Sequence, residues 1–287
     1  MRCAGVRVSV YHGYLRGLPS PWRLFRRNHR KSVIVDGAVA YTGGLNISNE
    51  WVARDDGGEG WRDAAIEVRG PAVAAIEAAF AETWNRRAAK RARLNLAALP
   101  AEGSAGLTSL AVLTNTERGD RFAIRRALLH AIRESRRRVT LANPYFVPDR
   151  GILTALEAAA QRGVAVRLLV PLESDSGMLD AAARATFPPL LRAGVRVWRS
   201  PAVVHTKVVA CDERFVSIGS YNLDHRSLAY NLEIVVNVLD QVFADATWDM
   251  LDAEIAAASE VDPTVFPVRP LLLRALEHGA LALRRWL

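Results

Sequence analysis

"HRKSVIVDGAVAYTGGLN" (residues 29–46) returns as "HTKVVACDERFVSIGSYN" (residues 205–222), and reading the two as copies of one unit decides the fold. Both follow H-x-K-x4-D-x6-G-x-x-N with no insertion or deletion. "AGVRV" stands upstream of each copy, at 4–8 and at 193–197. An internal repeat of this kind marks a duplicated structural unit.

The lysines sharpen that reading. Of 38 lysines and arginines only three are lysine, Lys31, Lys90 and Lys207, and two of these fall in the same register of the repeat. An ammonium is a compact point charge with three donors, whereas a guanidinium is a wide planar fork. Two cations crowding one small anion beside two histidines require the smaller head. The β-branched residues after each histidine (Val33, Ile34, Val35; Val208, Val209) predict a buried strand. Asp-Gly and Asp-Glu-Arg then predict a tight turn into a second strand, "VAYTG" (39–43) or "FVSIG" (215–219). Residues i and i+2 of a strand share a face, so His29 and Lys31 point one way, as do His205 and Lys207.

Strands and helices alternate ahead of the second copy. "LAVLT" (110–114), a helix from about 120 to 136, "RVTLA" (138–142) and a helix opened by Pro148 and Asp149 and closed by Gly163 come first. Strand 164–171, a helix up to Ala193 and strand 195–198 complete the series, which predicts an α/β fold with a largely parallel sheet. Far fewer residues precede His29 than separate Leu110 from His205, so the first half is expected to be N-terminally incomplete. Residues 71–92 read as a bridging helix with a Val73, Ile76, Phe80, Trp84 stripe. The expected division is a first half over 1–95, a second over 107–262, and a C-terminal amphipathic helix within 263–287.

The bulk numbers bound the partners. A net charge of +8 and a pI near 10.1 favour an anion, and charge alone does not choose between nucleic acid and lipid headgroups. No stretch reaches the roughly 18 apolar residues of a membrane span, and the N-terminus lacks the apolar region of a signal peptide. Cys3 and Cys211 lack ligand spacing, which predicts a reduced setting without disulfide or zinc.

Two imidazoles, two ammonium groups and the asparagines Asn46 and Asn222 suit a phosphodiester. One imidazole can attack phosphorus while the other protonates the leaving alkoxide. Lysines and amides hold the non-bridging oxygens as charge builds. This chemistry calls for no metal and no cofactor, and the sequence has no cluster with metal-ligand spacing.

These motifs, together with "WRDAAIEVRGPAV", "NPYFVPDRGIL" and "SYNLDHRSLAYNLE", resemble the phospholipase D superfamily, most nearly its bacterial cardiolipin synthases. The resemblance implies a two-lobed, pseudo-symmetric α/β/α sandwich with its site between the lobes. It implies phosphatidyl transfer through a phosphohistidine, with phosphatidylglycerol and a membrane surface as partners in preference to nucleic acid. It also implies a peripheral position on the cytoplasmic face of a bacterial membrane. His29, Lys31, Asp36, His205, Lys207 and Asp212 correspond to the catalytic motif residues, the two aspartates being expected to brace the hairpins. Asn46, Asn222 and Ser220 correspond to phosphate-binding groups, with Gly44 where the first copy would carry the serine. Glu233 corresponds to a carboxylate that orients a catalytic imidazole, and Asp63 resembles its counterpart. The family places the nucleophile in the first copy, which would be His29; the residues themselves state no preference. Three readings stay open: transfer to an alcohol, hydrolysis by water as in a phospholipase D or a nuclease-type phosphodiesterase, and a truncated, inactive homologue that only binds membranes.

His12, His130, His225 and His278 have no matched partners and read as structural. The arginines of "IRESRRRV" (132–139) read as a solvated helix end. Tyr145 and Phe146 either line an approach for acyl chains or belong to the core. The helix at 270–287 either lies in a membrane interface or docks on the protein's own core.

Overall fold

The computed structural model of the chain describes residues 2–11, 26–87, 93–94, 106–116 and 120–286. His12, Lys90 and most of the segment between the halves lie outside the described residues. In the first half, strands β1 (Ser32–Val35), β2 (Val39–Gly43) and β3 (Ala65–Arg69) form an antiparallel sheet, followed by helix α1 (Val73–Arg87). Residues 5–10 form no strand, and Val6, Val8 and Val10 are exposed.

The second half contributes β4 (Ser109–Thr114), α2 (Ala123–Glu134), β5 (Arg138–Ala142), α3 (Arg150–Gln161), β6 (Ala165–Pro171) and α4 (Gly177–Arg192). It continues with β7 (Arg196–Ser200), β8 (Val208–Cys211), β9 (Phe215–Gly219), α5 (His225–Ala229), β10 (Ile234–Leu239), α6 (Gln241–Ala256), β11 (Ser259–Glu260) and α7 (Leu271–Ala282). Its eight strands run in the order β11-β7-β6-β5-β8-β9-β10-β4. Only β5, β6 and β7 pair in parallel. The sheet is therefore mixed rather than largely parallel, because the hairpin β8–β9 and its antiparallel neighbours β10 and β4 make up its other half.

Both copies of the repeat fold as hairpins. The turn begins at Asp36 in one and Asp212 in the other, with φ of 53° and 50°, a left-handed conformation that aspartate tolerates better than most residues. The motif glycine serves close approach instead. A Cβ on Gly43 would stand 2.3 Å from the Ala64 carbonyl oxygen, and one on Gly219 would stand 2.2 Å from that of Ile234. The environments then diverge. β8 lies between β5 and β9 and is buried throughout. β1 was expected to be buried too, yet Val33 and Val35 are exposed, because β1 is an edge strand of its sheet.

Two apolar layers sandwich the large sheet. On one face α2, α3 and α4 supply Ile124, Leu128, Leu156, Phe187 and Leu190. On the other, α6 (Trp248, Leu251) packs beside the first half, whose Ala40, Ile66, Val68, Val73 and Ile76 meet Val208, Val216, Ile218 and Val236. The halves thus share one core. Along α1 the buried stripe is Val73, Ile76, Ala79 and Thr83, whereas Phe80 lies exposed and stacks on Trp84. Asp149 caps α3 by accepting from the Gly151 amide, and Gly163 ends it at φ 89°, as the sequence predicts.

Asp212 braces the second hairpin. Its carboxylate accepts from the amides of Arg136, Arg137 and Arg138 at 2.9–3.3 Å, tying the turn to the start of β5. Asp36 is exposed, at an edge with no such neighbour among the described residues. Asp212→Ala should lower the unfolding free energy by about 2 kcal/mol or more, since three amides lose a charged acceptor. Asp36→Ala should cost under about 1 kcal/mol. Urea denaturation of the two variants measures the difference.

Candidate active site

The site begins with two short crossovers of backbone. Asn28 and Leu232 form a parallel bridge, with His29 N donating to the Leu232 carbonyl (3.0 Å) and Leu232 N to that of Arg27 (2.9 Å). Arg62 and Val204 form the matching bridge, with His205 N donating to Arg62 O (2.7 Å) and Arg62 N to Val203 O (3.0 Å). Leu232 directly precedes Glu233, and Arg62 directly precedes Asp63. Each histidine is therefore stitched to the carboxylate of the other half.

The side chains follow the stitching. His29 Nδ1 lies 3.0 Å from both Glu233 oxygens, and His205 Nδ1 lies 2.6 Å from Asp63 Oδ2. Glu233 is wholly buried, and Ser220 Oγ (2.5 Å), Ser227 Oγ (2.8 Å) and Asn231 Nδ2 (3.2 Å) also donate to it. Burial alone would raise its pKa, but His29, Lys31 and Ser220 outweigh that and hold it below the usual range. The Asp63 side chain is 0% exposed and takes further bonds from Trp51 Nε1 (3.1 Å) and the Ala64 amide (2.8 Å). Asp63 thus faces His205, while Arg62 pairs with Glu254 and Arg69 with Glu67. A carboxylate on Nδ1 leaves Nε2 as the reactive nitrogen of each ring and favours the imidazolium when it forms.

The two carboxylates differ in length, and the residues facing them compensate. Ser220 bonds Glu233; Gly44, its equivalent, leaves room for Asp63, since a Cβ there would stand 2.2 Å from Asp63 Oδ1. The Ser220 hydroxyl, expected as a phosphate contact, faces Glu233. Its single proton goes to Glu233, and it accepts from the Ile234 amide (3.1 Å), so it positions the carboxylate.

The lysines lie low against the backbone. Lys31 Nζ donates to His29 O (3.0 Å) and Lys207 Nζ to His205 O (2.5 Å), with the His205 ring nitrogens 2.8 and 3.0 Å from Lys207 Nζ. Burial lowers Lys31 to about 8 and Lys207 to about 7. Glu233 and Asp63 oppose the shift on Lys31, and Asp63 and Glu233 oppose that on Lys207, which Lys31 deepens. Burial, Lys207 and Lys31 lower the His205 pKa against the pull of Asp63. The two His-Lys pairs therefore sit in one electrostatic field.

A cavity of about 430 Å³ opens on this field, lined by His29, Asn222, Asp224, Tyr145, Asp175 and Trp286 among others. Tyr145 joins the two histidines: its ring lies 6.1 Å edge-on from His205, and its hydroxyl donates to Asp175 (2.5 Å). Phe146, its neighbour, is a core residue. Trp51 and Trp61, at 5.1 and 5.5 Å, complete an aromatic wall around His205. Asn222 is buried, and its Oδ1 has no partner. Asn46, expected as its equivalent, is exposed. Asn143 at the end of β5 holds the chain around Asn222, bonding the Leu223 amide and Tyr221 carbonyl; the described first half has no β5. Asp36 and Asp212, expected among the catalytic residues, lie at the far ends of their hairpins, roughly 20 Å along the strand from each histidine.

Several contributors escaped the sequence reading. Arg30, between the histidine and the lysine, points to the opposite face, where its guanidinium bonds the carbonyls of Glu233, Ala79 and Asn115. Trp51, Trp61, Ser227, Asn231 and Asp224 lie in loops or a short helix, where no periodicity announces direction. Among the described residues no group of three or more His, Cys, Asp or Glu is placed to hold a metal ion.

With its paired H-x-K hairpins on an α/β fold, the chain is similar to the phospholipase D superfamily. Residues 128–254 match the family model described as cardiolipin synthase, PLD-like domain. Cardiolipin synthase A of Pseudomonas putida (strain W619) is 34% identical over 265 residues, covering 92% of this chain and 54% of the relative. Cardiolipin synthase A of Pseudomonas fluorescens (strain SBW25) is 36% identical over 263 residues, covering 91% and 54%. The chain thus spans about half the length of the curated relatives it matches. The crystal structure of phosphatidylserine synthase from Haemophilus influenzae Rd KW20 superposes with a TM-score of 0.66 at 14% identity, over 91% of this chain and 71% of that one. At that identity the likeness speaks for the fold alone.

The buried lysines make stability depend on pH. Lys207 titrates near 7 in the folded protein and near 10.5 when unfolded, so between those values the unfolded chain binds more protons. Its contribution therefore rises with pH across that window and is lost as pH falls through about 7. Lys207→Met should flatten the rise in urea midpoint between pH 7.5 and 9.5.

Proposed function

We propose that the protein transfers a phosphatidyl group between phospholipid alcohols, in the manner of a cardiolipin synthase, through a phosphohistidine. One observation carries this reading: two imidazoles, each held at Nδ1 by a buried carboxylate from the other half, with a buried lysine beside each. The family resemblance supports it, as do relatives named cardiolipin synthase A.

Following the family assignment, His29 Nε2 attacks the phosphorus of phosphatidylglycerol. The bond from phosphorus to the glycerol oxygen breaks, and the imidazolium of His205 gives that oxygen its proton. Neutral His205 then accepts the proton of an incoming hydroxyl, whose oxygen displaces His29. A second phosphatidylglycerol yields cardiolipin. Glu233 and Asp63 orient the rings and stabilise each imidazolium. Lys31, Lys207 and the Asn222 amide hold the non-bridging oxygens. A bound phosphodiester restores the charge that burial costs the lysines, because an anion within about 4 Å favours the ammonium form. Anionic phospholipid is accordingly the partner, met at a membrane surface. No helix among the described residues is long and apolar enough to cross one.

Incubation with phosphatidylglycerol vesicles, read by mass spectrometry, tests the reading. Cardiolipin with released glycerol is the expected product; phosphatidic acid would mean that water is the acceptor, and neither product would overturn the enzyme. His29→Ala and His205→Ala should each lower the rate by at least about 10³-fold, and Glu233→Gln by about 10²-fold. Sulfate, whose charge is constant above pH 3, should inhibit progressively less as pH rises from 6.5 to 9 and the lysines lose their protons.

A further inference from the structure

Helix α7 is attached to the protein by a mixed face of Glu277, Ala280 and the half-buried Leu281. Glu277 and Ala280 are its buried positions against α4. Arg184 of α4 donates to Glu277 Oε1 (2.9 Å), and Arg269 grips both carboxylate oxygens (2.6 and 2.8 Å). Leu272, Leu276 and Leu283 share one arc of about 40° on the helix, and they are 74%, 63% and 50% exposed. The two options open from the sequence therefore coexist: the helix docks on the protein, and its leucines face outward. A surface of this kind calls for an apolar partner.

The position of the arc indicates which partner. Just beyond α7, Trp286 is 63% exposed and lines the same cavity as His29. α4 and α7 run antiparallel: Arg184 of α4 meets Glu277, and Ser176 and Leu179 at the start of α4 share the cavity with Trp286 just past the end of α7. Met178, six residues before Arg184, is thus level with Leu283, six residues after Glu277, and it is also exposed. The apolar edge accordingly leads to the mouth of the cavity. Exposed Arg274 and Arg285 lie on the opposite side of the helix from the leucines, in a chain of net charge +8. Leucines and tryptophan on one side with arginines on the other are the pattern of a helix that lies in a bilayer interface.

We propose that the Leu272–Leu276–Leu283 arc and Trp286 form the face by which the protein lies on an anionic bilayer, holding the cavity mouth at headgroup level. The proposal rests on the phospholipid reading above. A diacyl substrate can then keep its chains in the membrane while only its phosphate enters the polar cavity. Glu277 and its two arginines fix the angle of the helix, so that the leucines stay outward in the absence of lipid.

Co-sedimentation with vesicles of phosphatidylglycerol and phosphatidylcholine, measured on the full chain, tests it. The triple variant Leu272→Glu/Leu276→Glu/Leu283→Glu should bind at least tenfold more weakly while keeping the wild-type melting temperature, because these side chains support no core. Leu276→Trp, which preserves the apolar face, should bind like the wild type and lose its added fluorescence to lipids brominated in their acyl chains. Wild-type protein that ignores vesicles, a folded triple variant that binds undiminished, or Leu276→Trp fluorescence that the brominated lipid leaves unquenched would each overturn the proposal. So would a self-associating wild type that the triple variant renders monomeric with vesicle binding intact. His29→Ala should still bind vesicles. Leucine-dependent binding without any lipid product would leave the docking face standing and remove the transferase.

Discussion

The site depends on a crossed pair of backbone bridges. Asn28 meets Leu232, Arg62 meets Val204, and each bridge delivers one histidine to a carboxylate from the other half. Two backbone hydrogen bonds fix each bridge, and a core shared between the halves holds the bridges in place. Because the contact is reciprocal, any sliding of one half on the other would disturb both imidazoles at once. Orientation here comes from rigid strands and their immediate lead-ins, which suits groups that must keep hydrogen-bond geometry through a proton transfer.

Burial sets the chemical poise inside this frame. Lysines lowered to about 8 and 7 are costly as free ammonium groups and well matched to an arriving anion. Glu233 meets the opposite condition, a buried carboxylate kept ionised by the donors around it. Aromatic side chains wall His205, whereas His29 lines the open cavity. The asymmetry between a walled His205 and a half-buried His29 arises from Trp51, Trp61 and Tyr145, which belong to no repeat.

The repeat made the hairpins, the facing of His29 with Lys31 and of His205 with Lys207, and the helices capped by Asp149 and Gly163 legible, because period and turn chemistry are local. Glu233 and Asp63 were legible through resemblance, and their crossed pairing was not, since no residue spacing encodes which half a carboxylate reaches. The motif also misled where its two copies meet different neighbours. Among the described residues β1, which reads like β8, has no strand on its outer edge, and Val33 and Val35 are exposed; Asn46, which reads like Asn222, has no described counterpart of Asn143 beside its loop. Ser220 was expected to face phosphate, and a hydroxyl with only one proton to give had already spent it on Glu233. On α7 the wheel located the leucine face but not its direction, which an ion-pair network from α4 and the preceding turn decides.

A single methylene separates the two halves most deeply. With Glu233 opposite a serine and Asp63 opposite a glycine, each half carries its own reach and its own clearance. The two hairpins are thus complementary castings: a side chain at Gly44 would run into Asp63, and a glycine in place of Ser220 would leave a gap beside Glu233.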